Sequence, residues 1–407
     1  MISWLPMGFE EALRITLETI TPLGKEMIPL SQATGRILAQ PLISSIDSPS
    51  IDASLKDGYA VTSGDLVAAC PETPVHLTLA GTVAAAGGKQ TQRLFPGTAM
   101  RILTGAEIPR GADAVLAEEF TGVFGNILVA RNRAGAGRNI MPRGTDVKTG
   151  QCIAQKGDTI IPGLAGIIAA SGFSEVSVFK QPRVAIIATG DEVVAPGKPL
   201  PRGKLYASNM VTLSAFCQQW GLETLLYTAK DDPREIRNVL EKAMDQSDAI
   251  LTSGGAWTGD RDLVAKILLE LGWKKAFHRI RIGPGKAVGF GMLDHMPVFI
   301  LPGGPPSNLM GFLQIAFPGL RAQAGYQRPG LPTMRAALVS DLQGRDREWT
   351  QFIFGLIDLK GDTPLFCSLG QRGRLQSMAK ATAIASIPEG ATGISQGTMI
   401  DVQILSL

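Results

Sequence analysis

The run Val184-Ala185-Ile186-Ile187-Ala188-Thr189-Gly190-Asp191-Glu192 decides how this chain is read. Its first five residues are apolar with no polar alternation, the pattern of a strand buried on both faces of a parallel sheet. A glycine and two carboxylates follow, so the strand ends in an acidic turn at the sheet's carboxyl edge, where open α/β folds bind ligands. Similar runs recur at 222–228, 249–252 and 298–301, with amphipathic stretches between most of them. That alternation predicts βαβ units and a parallel sheet over 182–328. The clearest helix has Asp232 as N-cap, Pro233 at the first helical position and Glu235 at the third. It buries Ile236, Val239, Leu240, Ala243 and Met244 along one face.

The other strand ends carry glycines. Residues 249–252 run into Ser253-Gly254-Gly255 and, through Ala256-Trp257-Thr258-Gly259, into a helix near Asp260. Residues 298–301 run into Pro302-Gly303-Gly304-Pro305-Pro306-Ser307. Glycine lets backbone N–H groups approach an anion at a helix start, so the two turns are expected to converge on one anion-binding crevice. Lys286, in Gly283-Pro284-Gly285-Lys286, is the expected cationic partner. Asp260 and Asp262 have the wrong sign to meet a phosphate, and read either as ligands of a bridging Mg²⁺ or as charges favoured at a helix N-terminus.

Outside this block the pattern changes. Apolar residues at helical spacing over 10–20 and 164–170 predict packing helices, and short alternating runs at 75–79 and 126–129 predict strands between them. The expected organisation is a multidomain α/β plus β chain. It has a discontinuous helical domain (1–46 and 147–181), an inserted β domain (47–146), the α/β domain (182–328) and a C-terminal β domain (329–407). With 39 basic and 36 acidic residues the net charge is +3, and the basic residues are dispersed, which argues against nucleic-acid binding. No apolar run approaches the roughly 20 residues of a membrane span, and the first ten residues lack the features of a secretory signal, so the cytoplasm is the expected compartment. Four cysteines without CxxC spacing and three scattered histidines leave acid–base work to Asp, Glu, Lys and Arg.

Taken in chain order, these motifs form a recognisable set. Asp57-Gly58-Tyr59-Ala60-Val61, Arg101 with Thr104-Gly105, Gly111-Ala112-Asp113-Ala114-Val115, Thr189-Gly190-Asp191-Glu192, Ser253-Gly254-Gly255, Pro284-Gly285-Lys286 and Leu301-Pro302-Gly303 resemble the molybdopterin molybdenumtransferase family. This is the MoeA type, also found as the E domain of gephyrin. The resemblance implies a homodimer in which the inserted domain of one subunit faces the α/β domain of the other. It implies insertion of molybdate, or tungstate, into adenylylated molybdopterin with release of AMP and participation of Mg²⁺, the substrate being supplied by a molybdopterin adenylyltransferase. Carried over by motif, Asp57, Thr104, Asp146 and Glu192 are the expected catalytic residues. Thr189, Gly190, Asp191, Ser253, Gly254, Gly255, Asp232, Asp262, Arg279, Lys286, Pro302, Gly303 and Ser307 are the expected substrate contacts, and Asp260, Asp262 and Glu192 the metal ligands. The cap described above accounts for Asp232 unaided.

The chain departs from the family pattern at several of these places. Gly283 replaces a lysine before Pro284, and Arg279 or Arg281 is expected to supply the missing cation. Gly304 replaces an amide side chain, Trp257 is bulkier than the usual residue, and Lys56 precedes Asp57 where methionine is common. These departures raise an alternative, a non-catalytic homologue that binds molybdopterin or nucleotide as carrier, sensor or scaffold. The α/β domain of the adenylyltransferases shares the TGDE and SGG elements, but lacks the flanking domains expected here.

Overall fold

The computed structural model describes residues 6–88, 91–254, 263–370 and 374–406. The chain forms two compact units, Met27–Val178 on one hand and the residues up to Glu26 together with those from Phe179 onward on the other. Among the described residues no helix is long and apolar enough to cross a membrane.

The larger unit is built on a six-stranded sheet. Strand β1 (Val184–Thr189) is buried along its whole length, as its unbroken apolar run requires. It pairs in parallel with β2 (Thr224–Ala229) and β3 (Ala249–Ser253), and β3 pairs in parallel with Met296–Leu301. Helices α1 (Ser208–Gln219), α2 (Pro233–Gln246) and α3 (Leu263–Glu270) lie between these strands in sequence. The cap of α2 is as the sequence predicts: one Asp232 carboxylate oxygen accepts the N–H groups of Arg234 and Glu235 at 3.0 and 2.9 Å. Such a cap contributes about 1 kcal/mol. Its apolar stripe packs Ile236, Leu240 and Ala243 with Ile187 and Ile250 of the sheet, the isoleucines and the leucine each contributing roughly 1.5–3 kcal/mol on burial.

Three further strands follow, β4 (Lys274–His278), β5 (Ile280–Gly283) and β6 (Gly289–Leu293), before the sheet's last parallel strand, β7 (Met296–Leu301). Strands β4 and β6 complete the sheet antiparallel, in the order β2-β1-β3-β7-β6-β4. Strand β5 leaves this sheet. At Arg279 the backbone adopts φ 75°, a left-handed conformation costly for a long side chain, and the chain continues as the parallel neighbour of Thr350–Asp358. The C-terminal strands therefore do not stand alone as the sequence suggests. They close into a ring of five, in which Thr350–Asp358 also pairs with Ala383–Ile387, and the sheet extends through β5 to Met7–Gly8.

The N-terminal helix, predicted over 10–20, spans Phe9–Thr19 and belongs to this larger unit, not with residues 147–178. Phe9, Ala12 and Ile20 join one core with Phe299, Phe317, Phe352 and Phe354, and Phe9 meets Phe352 edge-on with ring centroids 5.2 Å apart. Gly319 permits the approach, since a Cβ there would stand 2.8 Å from Ile20 and 2.7 Å from Phe299.

The smaller unit centres on another six-stranded sheet, ordered Ala114–Ala117, Gly58–Val61, Thr98–Ile102, Val75–Leu79, Ile127–Ala130, Thr121–Phe124. Tyr59, Val61, Leu77, Leu116 and Leu128 pack on one face, and Ala60, Met100, Ile102 and Val115 on the other. The flanking segments of this unit supply helix Pro162–Ala170 and short strand pairs such as Leu42–Ile43 with Cys152–Ala154.

Candidate active site

The carboxyl ends of β1, β3 and β7 come together closely. Gly254 has φ 107°, and a Cβ on it would lie 2.6 Å from the Thr189 carbonyl oxygen and 3.0 Å from its Oγ1, so only glycine fits. The Gly254 N–H donates to the Leu301 carbonyl at 3.3 Å. Two asparagines tie these ends together. Asn209, near the start of α1, donates through Nδ2 to Ser253 Oγ at 3.2 Å and to the Gly303 carbonyl at 2.8 Å. Asn308, in helix α4 (Pro305–Gly311), donates through Nδ2 to the same Oγ at 3.1 Å and to the Pro302 carbonyl at 2.9 Å. The Thr189 hydroxyl is buried with no hydrogen-bond partner among the described residues.

Beside this junction stand the carboxylates of the TGDE turn. Gly190 has φ 140°, and the Glu192 carboxylate folds back over it, within 2.9 Å of where a Cβ would lie. Asp191 Oδ1 accepts the Asp231 N–H at 3.3 Å, and the Asp191 carbonyl accepts Lys204 Nζ at 2.8 Å. Asp231 is pushed above the usual carboxylate range, first by burial and then by the charges of Asp191 and Glu192. That residue escapes a motif-based reading because its neighbour, Asp232, carries the recognisable cap signal.

On the far side of β7 a cleft of about 600 Å³ opens between the α/β sheet and the C-terminal strands. Gly283, Pro284, Lys286, Gly304 and Ser307 line one wall; Arg345, Trp349, Gln351, Phe354 and Ser377 are among those lining the other. Lys286 makes no ion pair with any described residue, so its charge is available to a ligand. Arg281 does not replace the lysine absent at Gly283: its guanidinium is spent on Glu389 at 2.8 Å, on the Glu348 carbonyl at 3.1 Å and on the Pro6 carbonyl. Arg279 is not among the cleft residues either and instead marks the switch between sheets. The cation on the opposite wall is Arg345, whose position in a β-rich C-terminal segment carries no local signal of function. A second cavity, about 410 Å³, lies at the amino ends of β1 and β3, but its Arg183 is paired with Glu223 at 3.1 Å.

In the smaller unit Asp57 precedes strand Gly58–Val61, and the strand presses against its neighbour so tightly that a Cβ on Gly58 would lie 2.2 Å from the Leu116 carbonyl. Asp57 Oδ1 accepts both the backbone N–H and the hydroxyl of Thr104, each at 2.7 Å. Those two bonds, with Arg101 nearby, hold the exposed Asp57 carboxyl below its ordinary value. Lys56 is not among the causes. Arg101 is itself paired with Glu118 and lies over the Tyr59 ring. Asp146 is exposed on a separate turn, where its N–H donates to the Ser48 carbonyl at 2.9 Å, and no hydrogen bond joins it to Asp57. Gly255, Trp257, Asp260 and Asp262 lie outside the described residues, and among those described no set of three His, Cys, Asp or Glu side chains is arranged to hold a metal.

A parallel sheet with Gly-rich strand ends, an acidic turn and an adjoining cleft that holds Lys286 defines an α/β protein with a ligand-sized site at its sheet edge, and comparison with known proteins makes the class specific. Residues 7–172 match the model of the MoeA N-terminal region (domains I and II), and residues 185–322 that of a probable molybdopterin binding domain. The chain is 31% identical over 399 residues to molybdopterin molybdenumtransferase 2 of Mycobacterium tuberculosis, covering 97% of this chain and 98% of the relative. It is 29% identical over 400 residues to the molybdopterin molybdenumtransferase of Staphylococcus aureus, covering 98% and 95%. The crystal structure of a molybdopterin biosynthesis MoeA protein from Pyrococcus horikoshii superposes with a TM-score of 0.83 at 28% identity, covering 98% of this chain and all of that one. The chain belongs to the molybdopterin molybdenumtransferase family.

Proposed function

We propose that this chain inserts molybdate, or tungstate, into adenylylated molybdopterin and releases AMP. Family membership supports a transferase of molybdenum cofactor biosynthesis, and one observation carries the particular step: the order of chemistry along the sheet edge. β2 and β1 end in the acids Asp231, Asp191 and Glu192, β3 and β7 end in glycines and the Ser253 hydroxyl, and the loop after β7 opens into the Lys286 cleft. An adenylylated phosphate at the middle of that edge has N–H and O–H donors beneath it. Acids lie to one side of it, and on the other a cationic cleft fits the oxyanion.

The acids fit Mg²⁺ in part. Magnesium usually takes one or two carboxylates and completes its shell with water and substrate phosphate; Asp231 is raised first by burial and then by the charges of Asp191 and Glu192, and that second, repulsive part is what a divalent cation would relieve. Glu192 is the described residue the family motif offers it, with Asp191 and Asp231 in the neighbouring turns; these do not make a three-ligand set among the described residues, and the motif's Asp260 and Asp262 lie outside them. When bound it neutralises the phosphoanhydride. The chain's own groups do the rest: Ser253 and the strand-end glycines orient the phosphate and Lys286 attracts the oxyanion, while the family motif assigns Asp57, in the smaller unit, to catalysis. A cytoplasmic setting, a homodimer and a molybdopterin adenylyltransferase as substrate donor complete the reading.

The test is AMP release and metal incorporation from adenylylated molybdopterin, Mg²⁺ and molybdate or tungstate, comparing the unaltered chain with Asp57→Ala. Metal-dependent turnover lost in the variant is expected. Tight substrate binding without AMP release under either metal would instead favour a carrier. Sedimentation should report a dimer; an active monomer would sink that part of the proposal.

A further inference from the structure

Both asparagine amides at the strand ends have a fixed orientation. Each Nδ2 carries two protons, and each spends one on a backbone carbonyl, Gly303 for Asn209 and Pro302 for Asn308, at 2.8 and 2.9 Å. A flipped amide would set oxygen against oxygen at those distances, so the NH₂ groups must face the carbonyls. The second proton of each amide then points at Ser253 Oγ, at 3.2 and 3.1 Å. A serine hydroxyl has two lone pairs and one proton. With both lone pairs engaged, Ser253 has no accepting capacity left and is a committed donor.

No described residue accepts that proton. From this geometry we infer that Asn209 and Asn308 are positioning residues that lock Ser253 as a hydrogen-bond donor, making this spot selective for an acceptor-only oxygen such as a phosphoryl group. The inference rests on the proposed function only in taking that group to be the adenylate phosphate. A ligand presenting a hydroxyl or amine proton to Ser253 Oγ would find no lone pair free to accept it.

A cysteine reporter separates the two claims. In Ser253→Cys the sulfur inherits both amide N–H donors, which favour the thiolate. Its thiol pKa, followed by alkylation rate against pH with peptide mapping to exclude the native cysteines, should lie about one unit below that in Asn209→Ala/Ser253→Cys. Equal values in the two variants would overturn the locking role, because a merely structural Asn209 has no reason to move a thiol titration. In parallel, AMP affinity by calorimetry should fall about tenfold in Asn209→Ala and in Ser253→Ala, roughly 1.4 kcal/mol each. The double variant should lose little more than either alone. Independent, multiplying losses would show that Asn209 does not act through Ser253. Absence of AMP binding to the unaltered chain would overturn the adenylate reading, leaving the thiol comparison to decide the asparagines' role.

Discussion

Thr104 gives Asp57 two hydrogen bonds to a single carboxylate oxygen, one from its backbone N–H and one from its hydroxyl, both 2.7 Å long. The smaller unit repeats the device at Asp47, which accepts the N–H and hydroxyl of Thr149 at 2.7 and 2.9 Å and is likewise held below the ordinary carboxylate range, first by that backbone bond. Because the folded-state pKa of Asp57 is depressed, its contribution to stability is present above the unfolded value and is lost as pH falls through the folded one. Thr104→Val keeps the backbone donor but removes the hydroxyl. We expect the Asp57 carboxyl, followed by NMR titration, to move up towards 3.8. An unchanged titration would mean that the hydroxyl bond contributes nothing.

Gly254 and Gly304 predict opposite responses to one added methyl group. At Gly254 the methyl meets a backbone oxygen at 2.6 Å, in a left-handed conformation; at Gly304 nothing lies within 4 Å. Gly254→Ala should destabilise the larger unit by more than about 1 kcal/mol, and Gly304→Ala should fall within about 0.5 kcal/mol of the unaltered chain. Denaturant midpoints at constant m-value decide it.

Asp232 has one oxygen engaged in the α2 cap. Asp232→Ala should therefore lower stability by about 1 kcal/mol while Asp232→Asn restores most of it. Substrate affinity unchanged in Asp232→Asn would confine this residue to capping; a loss there would show that its charge reaches the ligand.

The two basic residues of the β5 segment should separate cleanly. Lys286→Ala is expected to weaken molybdate binding about tenfold and to flatten its salt dependence, with no change in melting temperature. Arg281→Ala should lower the melting temperature, because it leaves the Pro6 and Glu348 carbonyls without that donor, and should leave molybdate affinity alone. Equal effects of the two on affinity would contradict the placement of Arg281 away from the cleft.

The parallel strands were legible because burial on both faces leaves an unbroken apolar run, as in β1 and β3. Strand β6 was not, since Gly289-Phe290-Gly291 reads as loop until its tight packing is seen: a Cβ on Gly291 would lie 2.5 Å from the Lys274 carbonyl. Nor does local pattern say which of two sheets β5 joins, because that depends on one left-handed residue and on a partner strand some seventy positions away. The same divide runs through the site. Thr189, Ser253, Gly254 and Lys286 belong to short motifs and could be named, whereas Asn209, Asn308, Asp231 and Arg345 acquire their roles only when distant segments meet. Of the two arginines offered as substitutes for the lysine missing at Gly283, charge alone suggested Arg281, but the fold engages that charge with Glu389 and the carbonyls of Glu348 and Pro6.

The passage of β5 from one sheet into the other bears on how this molecule can be taken apart. The strand leading to Lys286 takes its hydrogen bonds from the C-terminal ring, and Gln314 and Gln403 exchange amide bonds at 2.6 and 3.1 Å across the same boundary. Truncating the chain after residue 328 would leave β5 without its partner Thr350–Asp358 and uncover Phe9, which packs on Phe352. Residues 182–328 are thus not a detachable cassette. A gene fusion or truncation that borrows the molybdopterin-binding segment must carry the tail, and the first helix, with it.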